Sequence, residues 1–294
     1  MSKANQLTEI IYVCSPDYYE NLLFTSVRSL LKSDSSFDKL TIFCIGQKPD
    51  YWEFLDPRVQ VISVEALRQD DFLINKTYAL TSQAERLIFL DTDTLIFNSL
   101  DTVYQGTSED FIGRPASKYF AEGVRDKWEK IITKYGSKYV PYFNSGFFIF
   151  QNSSHHRLLN TWRNLTHELL VENSIPESFH GKQIMAEQMA LSLTVSKHSL
   201  SYRCMEEHEH VYTWAINREL DPKTMLVIHT GGSFYFKYAT RLEIKLGLIW
   251  SNLPKFKSYP NPIHFHRWKR VLIYLQSQVS RIAKLALSKL KPKK

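Results

Sequence analysis

Short apolar runs and stretches of helical spacing alternate along the first half of the chain. An apolar run at residues 9–13 is followed at 19–32 by leucines and a valine that recur at helical spacing. Two more apolar runs lie at 40–45 and 59–64, and proline and aspartate residues that break regular structure separate them. Strands that alternate with helices predict an α/β fold with a mixed, mostly parallel sheet flanked by helices.

One predicted strand, residues 87–90, consists of large apolar side chains and ends at an acidic tripeptide. Asp91, Thr92 and Asp93 follow it directly, and apolar residues resume at 94–97. Two carboxylates at the end of a buried strand cost several kcal/mol unless a cation neutralises them. Their hard oxygens suit Mg²⁺ or Mn²⁺, which can in turn bind a diphosphate. The alternative is a turn in which the carboxylates cap backbone N–H groups.

Other polar residues also follow predicted strands. Ser15, Asp17 and Tyr19 come after the first one. Ligands of parallel α/β sheets bind at the carboxyl ends of the strands, so we expect these residues to face the same crevice as Asp91. Lys76, on the helix before the Asp91 strand, could reach this crevice or be a solvated surface charge.

The middle of the chain adds a second polar cluster. Asn144, Ser145 and Gly146 precede an apolar run at 147–150. An amide, a hydroxyl and a residue without a side chain suit hydrogen bonding to a polyhydroxylated ligand, although a simple turn is the alternative. The preceding segment 113–142 is charged and aromatic, with one predicted helix at 124–134, and is expected to be a mobile flap or a solvated excursion.

Later segments add two helices and a histidine. Helical spacing predicts helices at 155–171 and from about 183, and the second carries Glu187 and Gln188, a pair that ordinarily lies at a cap or on a wet face. The acidic and histidine-rich run 206–210 lacks metal-ligand spacing and is expected to be a solvated or loop segment. His229 ends a short apolar strand before Gly231 and Gly232, where it could face an anion or be purely structural.

The net charge of +7 is concentrated at the C-terminus. Residues 244–294 hold 12 Lys or Arg and no Asp or Glu, which leaves 25 basic against 30 acidic residues in 1–243. A nucleic-acid binder more often carries its positive charge on the folded domain, so this class is disfavoured. We therefore divide the chain into a domain, 1–245, and a basic amphipathic tail, 246–294. The tail is expected to lie on an anionic membrane surface, or alternatively to pack back on the domain.

Length and cysteine content bear on the number of domains and on the cellular compartment. A chain of 294 residues is long enough for one large α/β domain or two small ones. Its first residues lack a signal-peptide pattern, and no apolar window is long enough to span a membrane. Three scattered cysteines, Cys14, Cys44 and Cys204, fit reduced thiols. We expect a cytoplasmic protein, peripheral on the inner face of the cell membrane.

Taken in order from residue 9 to about 240, these segments resemble glycosyltransferase family 8. This family comprises retaining enzymes with the Rossmann-like GT-A fold, among them glycogenin and bacterial lipopolysaccharide galactosyl- and glucosyltransferases. The resemblance implies transfer of a hexose, glucose or galactose, from a UDP-sugar to a saccharide or lipid-linked saccharide. It also implies that Asp91, Asp93 and His229 bind Mn²⁺ or Mg²⁺. Two alternatives stay open: a nucleotide-sugar-binding protein with weak or no transferase activity, and a membrane-associated interaction protein.

The resemblance extends to individual residues. Those expected to bind the donor are Ser15, Asp17, Tyr19, Lys76, Asp91, Thr92, Ser145, Gly232 and Lys237. Those expected at the reacting centre are Asn144, Glu187 and Gln188. Two positions depart from the family pattern: Tyr235 stands where a phosphate-binding lysine belongs, with Lys237 two residues later, and Glu187 replaces an aspartate.

Overall fold

The computed structural model describes residues 6–50, 52–54, 56–69, 71–116, 123–171, 182–212 and 224–229. The predicted tail, 246–294, and the donor residues Gly232 and Lys237 lie outside these ranges. Asp17 and Tyr19 are placed by their backbone alone.

Ten strands and five α-helices make up the described fold. The strands are β1 Thr8–Cys14, β2 Lys39–Ile45, β3 Val59–Val64, β4 Arg86–Leu90, β5 Thr94–Ile96, β6 Phe111–Pro115, β7 Phe143–Phe150, β8 Tyr202–Cys204, β9 His210–Tyr212 and β10 Val227–His229. The helices are α1 Pro16–Leu31, α2 Asp101–Tyr104, α3 Gly123–Lys134, α4 Leu159–Val171 and α5 Lys182–Lys197, with 3₁₀ helices at Leu73–Thr81 and Ser154–Arg157. The strands predicted at 9–13, 40–45, 59–64 and 87–90 are confirmed as β1 to β4.

Seven strands form the main sheet, in the order β3-β2-β1-β4-β7-β6-β8. All neighbouring pairs are parallel except those made by β7, which runs antiparallel to both β4 and β6. A second sheet has the order β5-β10-β9, with β10 antiparallel to β5 and parallel to β9. The mixed, mostly parallel sheet predicted from the sequence is therefore confirmed.

The reversed direction of β7 positions the site. Leu90, the last residue of β4, pairs with Phe147. Because the two strands are antiparallel, the residues that follow β4 lie beside those that begin β7. The backbone N–H of Asp91 accordingly donates to the carbonyl of Gly146 at 2.8 Å. The acidic tripeptide and the Asn144–Gly146 segment therefore meet at one edge of the sheet.

Both faces of the main sheet are covered by helices, as the continuous apolar runs of its strands require. Alternate residues of β1 and β4 point to opposite faces, and every residue of β1 is buried. One face packs against α3, α4 and α5, and the other packs against α1 and α2. Representative buried residues of the first face are Ile11, Phe89, Phe148, Trp128 and Trp162, and of the second Ile10, Ile88, Leu23 and Val103.

The helix predicted at 155–171 begins later than expected. Asn152 and Ser153 have left-handed backbone angles, φ 57° and 55°, and a short 3₁₀ turn follows them. This turn directs His155 into the core, where its Nε2 lies 3.2 Å from the carbonyl oxygen of Ser82. Helix α4 starts only at Leu159, after this 3₁₀ turn.

The segment predicted as a flap or a solvated excursion packs one face against the core and exposes the other. Trp128, Ile131, Ile132 and Tyr142 are all buried, and the Trp128 indole donates to the carbonyl of Val140 at 2.8 Å. The solvated interpretation is therefore wrong for this apolar face, and it holds for the exposed residues of the same segment, such as Glu129, Lys130 and Lys138. The predicted helix is confirmed as α3. No helix within the described ranges has both the length and the hydropathy needed to cross a membrane.

Candidate functional site

The acidic tripeptide forms a fixed turn between β4 and β5. The Asp91 carbonyl accepts hydrogen bonds from the Thr94 backbone N–H at 3.2 Å and from the Thr94 hydroxyl at 2.7 Å. Thr92 and Asp93 are 7% and 8% exposed. The turn therefore holds both carboxylates at the carboxyl end of β4, as predicted from the apolar run before them.

The third predicted metal ligand reaches these carboxylates through the small sheet. β10 pairs with β5 so that His229 lies opposite Thr94. The Nε2 atom of His229 is 3.2 Å from Asp93 Oδ1 and 3.7 Å from Asp91 Oδ2. One ligand atom from each of the three residues lies within 4.8 Å of the others. Strand pairing thus brings the histidine to two carboxylates that lie far from it in the sequence.

The charges of the three groups depend on one another. Burial lowers the pKa of His229, but the neighbouring Asp93 and Asp91 outweigh burial and raise it above its ordinary value. Burial raises the pKa of Asp93, yet the imidazolium of His229 brings it below its ordinary value. The pKa of Asp91 is raised, mainly by burial. Two carboxylates and an imidazole at this spacing fit a divalent cation such as Mn²⁺ or Mg²⁺, which would replace the proton on Nε2.

Gly146 makes room for His229. A Cβ atom built on Gly146 would overlap the imidazole ring of His229. Sequence reasoning gave this glycine a place in a sugar-binding segment, whereas the structure adds a steric reason: a side chain here would displace the histidine.

Lys76 lies at the centre of the site. Its side chain is 10% exposed, and its Nζ is 2.8 Å from Asp91 Oδ2, 3.3 Å from Ser145 Oγ and 3.9 Å from Glu187 Oε2. Burial lowers the pKa of Lys76, but the nearby carboxylates outweigh burial and raise it to about 12. The alternative of a solvated surface charge is therefore wrong, and Lys76 supplies the positive charge that partly neutralises this acidic cluster.

Glu187 is fully buried beside Lys76. The hydroxyl of Ser145 donates to its Oε2 at 2.6 Å, and its Oε1 has no hydrogen-bond partner among the described residues. Burial raises the pKa of Glu187 to about 7, even though Lys76 and Ser145 oppose the shift. The wet-face expectation for this residue is wrong, because α5 turns this face towards the site and the core.

Gln188 links the start of β7 to the core. Its Oε1 accepts from Asn144 Nδ2 at 2.8 Å and from the Ser145 backbone N–H at 3.3 Å. Its Nε2 donates to the Tyr142 hydroxyl at 3.2 Å. The Asn144 side chain in turn accepts from the Gly146 N–H at 2.8 Å. This network fixes the orientation of both amides, and the wet-face expectation is wrong for Gln188 too, which is 4% exposed.

The predicted donor residues that follow β1 lie at the same edge of the sheet as the acidic tripeptide. β1 and β4 are parallel neighbours, so the chain after Cys14 and the chain after Leu90 emerge side by side. Ser15 is half-buried before α1, and its hydroxyl does not cap the helix. Asp17 and Tyr19 lie in the first turns of α1, which begins at this edge.

Sequence reasoning missed the residues behind His229. His210 and Tyr212, both buried, lie on β9 with ring centroids 5.4 Å and 5.6 Å from that of His229. The run 206–210 was expected to be a solvated or loop segment, which holds for the exposed residues 206–208 and for Glu209, which is buried in the turn, and is wrong for His210, which begins β9. The alternation of His210, Val211 and Tyr212 is a strand signal, but three residues are too few to detect it reliably.

Comparison with known proteins identifies the fold. No family model and no curated protein sequence matches the chain. Among solved structures, the galactosyltransferase LgtC in complex with donor and acceptor sugar analogs superimposes with a TM-score of 0.54 at 13% identity, over 75% of this chain and 86% of that one. The bifunctional glycosyltransferase WbbM has a TM-score of 0.52 at 11% identity, over 86% of this chain and 51% of that one. The glycosyltransferase GlyE of Streptococcus pneumoniae TIGR4 has a TM-score of 0.50 at 13% identity, over 76% and 54%.

The chain has the GT-A glycosyltransferase fold. Identities of this size show the fold alone, so membership of glycosyltransferase family 8 stays a prediction. The Asp91, Asp93 and His229 cluster lies where the metal site was expected.

Proposed function

We propose that the protein is a metal-dependent retaining glycosyltransferase that moves a hexose from a UDP-sugar to a saccharide or lipid-linked saccharide. The observation that carries this proposal is the Asp91, Asp93 and His229 cluster at the carboxyl end of β4 on a GT-A fold. LgtC, which shares this fold, was solved with donor and acceptor sugar analogs. That observation supports a nucleotide-sugar donor and a saccharide acceptor here.

The three ligands would hold Mn²⁺ or Mg²⁺, which when bound offsets the charge that develops on a departing diphosphate. Lys76 would place a second positive charge beside the same oxygens, because it already contacts Asp91. This charge supports turnover despite Tyr235 at the position of the family's lysine. If Lys76 and Lys237 do not replace that lysine, the protein would bind the donor and turn it over poorly.

Asn144, partly exposed at the start of β7, would contact the sugar, and the buried Glu187, Ser145 and Gln188 would hold this wall of the site in place. Ser145 and Glu187 form a buried polar wall next to Lys76, and Asn144 and Gln188 hold each other in fixed positions. A fixed amide can orient a hydroxyl group without reorganising during the reaction. The acceptor hydroxyl would then attack the sugar C1 from the face that the diphosphate leaves. The bond from C1 to the diphosphate would break as the new bond forms, and the departing diphosphate oxygen would take the hydroxyl proton. This is the retaining geometry implied by the family resemblance.

Calorimetric titration of UDP, with and without Mn²⁺, tests the donor site. We expect micromolar affinity that requires Mn²⁺ and is lost in Asp93→Ala. A surface variant, Asp56→Ala, is the matched control and should bind as the wild type does. If UDP, GDP and CDP all fail to bind the wild type in the presence of Mn²⁺, the proposal is wrong.

Hydrolysis of UDP-glucose and UDP-galactose separates an enzyme from a binding protein. Glycosyltransferases commonly hydrolyse their donor slowly when no acceptor is present. A metal-dependent hydrolysis that is lost in Asp93→Ala therefore supports turnover. Tight UDP binding without release from either sugar would favour the second candidate, a nucleotide-sugar-binding protein.

A further inference from the structure

His210 lies directly behind the proposed metal ligand His229. It is fully buried, and its ring is stacked on that of His229 with an interplanar angle of 15°. Its Nε2 is 3.3 Å from His229 Nδ1. The parallel pairing of β9 with β10 and an edge contact with Phe147 at 5.5 Å hold the ring in place. The two imidazoles thus form a rigid buried pair.

The geometry defines which nitrogen of His229 can bind a cation. Its Nε2 faces Asp91 and Asp93, whereas its Nδ1 faces His210. A neutral imidazole binds a metal through the nitrogen without a proton, so the proton must be on Nδ1 when Nε2 is the ligand. An N–H buried in this position needs an acceptor, and the Nε2 of His210 is placed to accept it.

We propose that His210 is a positioning residue, which fixes the tautomer and ring orientation of His229 and so raises the affinity of the site for a divalent cation. The inference rests on the proposed function, because it requires that Asp91, Asp93 and His229 bind a metal. It also requires that His210 itself carries its proton on Nδ1.

A second observation supports a functional role for His210. Its Nδ1 has no hydrogen-bond partner among the described residues. A buried polar atom without a partner costs free energy, so a purely structural requirement at this position would be met better by an apolar ring. His210→Phe removes this unpaired atom but also leaves the buried Nδ1–H of His229 without its acceptor, so we expect little net change in folding stability and a clear loss of metal affinity. A structural role predicts the opposite combination.

Mn²⁺ titration in the presence of UDP tests the inference. For His210→Phe, which keeps an aromatic ring and removes the acceptor, we expect the affinity to fall by about 10- to 100-fold. For His210→Gln, whose amide oxygen can accept the Nδ1 proton, the fall should be much smaller.

The matched control is His155→Phe. His155 is also fully buried, and its Nδ1 likewise has no hydrogen-bond partner among the described residues, but it contacts Ser82 at the opposite edge of the main sheet. This variant should bind Mn²⁺ as the wild type does.

The outcomes are distinguishable. If His210→Phe binds Mn²⁺ with wild-type affinity, the role of His210 is overturned and the proposed function stands. If the wild type binds no Mn²⁺ with UDP, the proposed function fails and the inference fails with it.

A measurement on the wild type needs no variant. Long-range ¹H–¹⁵N NMR spectra of the Mg²⁺-loaded protein with UDP report the tautomer of each histidine. A proton on Nδ1 of His229 is expected, and an Nδ1 without a proton would overturn the inference even if His210→Phe failed to fold.

Discussion

At the scale of single residues, the contact between Gly146 and His229 leaves no room for a methyl group. For Gly146→Ala we expect the Cβ atom to displace the imidazole from the two carboxylates and to lower Mn²⁺ affinity by on the order of tenfold or more. Calorimetric titration of Mn²⁺ with UDP measures this loss.

The control for Gly146→Ala is Gly106→Ala. Gly106 has φ 76° and open space around it, at the opposite edge of the sheet, so a methyl group there costs about 1 kcal/mol of backbone strain. This variant should lose stability and keep its Mn²⁺ affinity. Wild-type metal affinity in Gly146→Ala would contradict the steric role of the glycine.

Glu187 makes stability depend on pH. Its pKa is about 7 in the folded protein and 4.5 in the ordinary state of the side chain, so the folded protein keeps the proton longer. The stability that this proton contributes is fully present below pH 4.5 and is lost as the pH rises through 7. An amide at this position does not titrate and has no such dependence. The free energy of unfolding of Glu187→Gln, relative to the wild type, should therefore increase between pH 4.5 and 7, by about 3 kcal/mol at most.

Urea unfolding of the metal-free proteins at several pH values measures this difference. Glu168→Gln, an exposed position on α4, is the control and should follow the wild-type curve. Parallel curves for Glu187→Gln and the wild type would contradict the buried, protonated state of Glu187.

The ease of prediction differs among the site residues for a physical reason. Asp91 and Asp93 were found because a local apolar run places them at a strand end. The burial of Lys76 and Glu187 is set by how the 3₁₀ helix and α5 pack against β7, and that packing leaves no local pattern. His210 was missed because its strand is three residues long and its partner, β10, lies outside any local window.

At the scale of elements, two buried serines connect α1 to β5, the strand that follows the acidic tripeptide. Ser29 Oγ accepts from the Ile96 backbone N–H at 2.9 Å, and Ser26 Oγ lies 3.0 Å from the hydroxyl of Thr94. Helix α1 contains the predicted donor residues Asp17 and Tyr19, and β5 follows the acidic tripeptide. These contacts therefore fix the two parts of the proposed donor site relative to each other.

We predict that Ser29→Ala destabilises this junction. It leaves the Ile96 N–H unpaired in the core, at a cost of about 1–3 kcal/mol. Urea unfolding should show this loss, and hydrogen exchange should show faster exchange of the Ile96 amide.

Ser33→Ala is the matched control. Both serines donate their hydroxyl to the carbonyl three residues earlier, Ser29 to Ser26 O at 2.7 Å and Ser33, just after α1, to Leu30 O at 2.8 Å, but of the two it is Ser29 that accepts from β5. Ser33→Ala should leave Ile96 exchange unchanged. If the Ile96 amide exchanges equally fast in Ser29→Ala and in the wild type, the hydrogen bond to Ser29 does not stabilise the contact between α1 and β5.

The order of the elements was more predictable than their pairing. Apolar runs and breakers located β1 to β4 within one or two residues, because strands covered on both faces need continuous apolar sequence. The antiparallel insertion of β7 between β4 and β6 was not predicted, since a short apolar run does not indicate whether its strand runs parallel or antiparallel to its neighbours. The break before α4 was missed because His155 fits the helical spacing equally well.

At the scale of the whole molecule, the predicted tail carries the excess of basic residues and the domain carries a small excess of acidic residues. The tail lies outside the described residues, and its association with an anionic membrane surface remains a prediction from the sequence. Each basic residue near such a surface contributes about 1 kcal/mol. Replacing Lys269, Lys284 and Lys289 by Gln should therefore weaken binding to vesicles that contain phosphatidylglycerol by about 100-fold.

Cosedimentation of the full chain with vesicles measures this effect. The same three positions changed to Arg form the control, which should retain binding. Equal binding to neutral phosphatidylcholine vesicles, or no effect of the Gln changes, would argue against an electrostatic attachment.

The pairing of β5 with β10 determines when the site can exist during folding. Thr94 and His229 are separated by more than a hundred residues of chain, yet their strands are neighbours. Contacts between such distant segments form late, because the entropy of closing the intervening loop must be overcome first. A nascent chain still held on the ribosome before β10 emerges would have both carboxylates of the site but not the imidazole of His229. Cation binding would thus follow the pairing of β10, the last strand of the described residues, with β5.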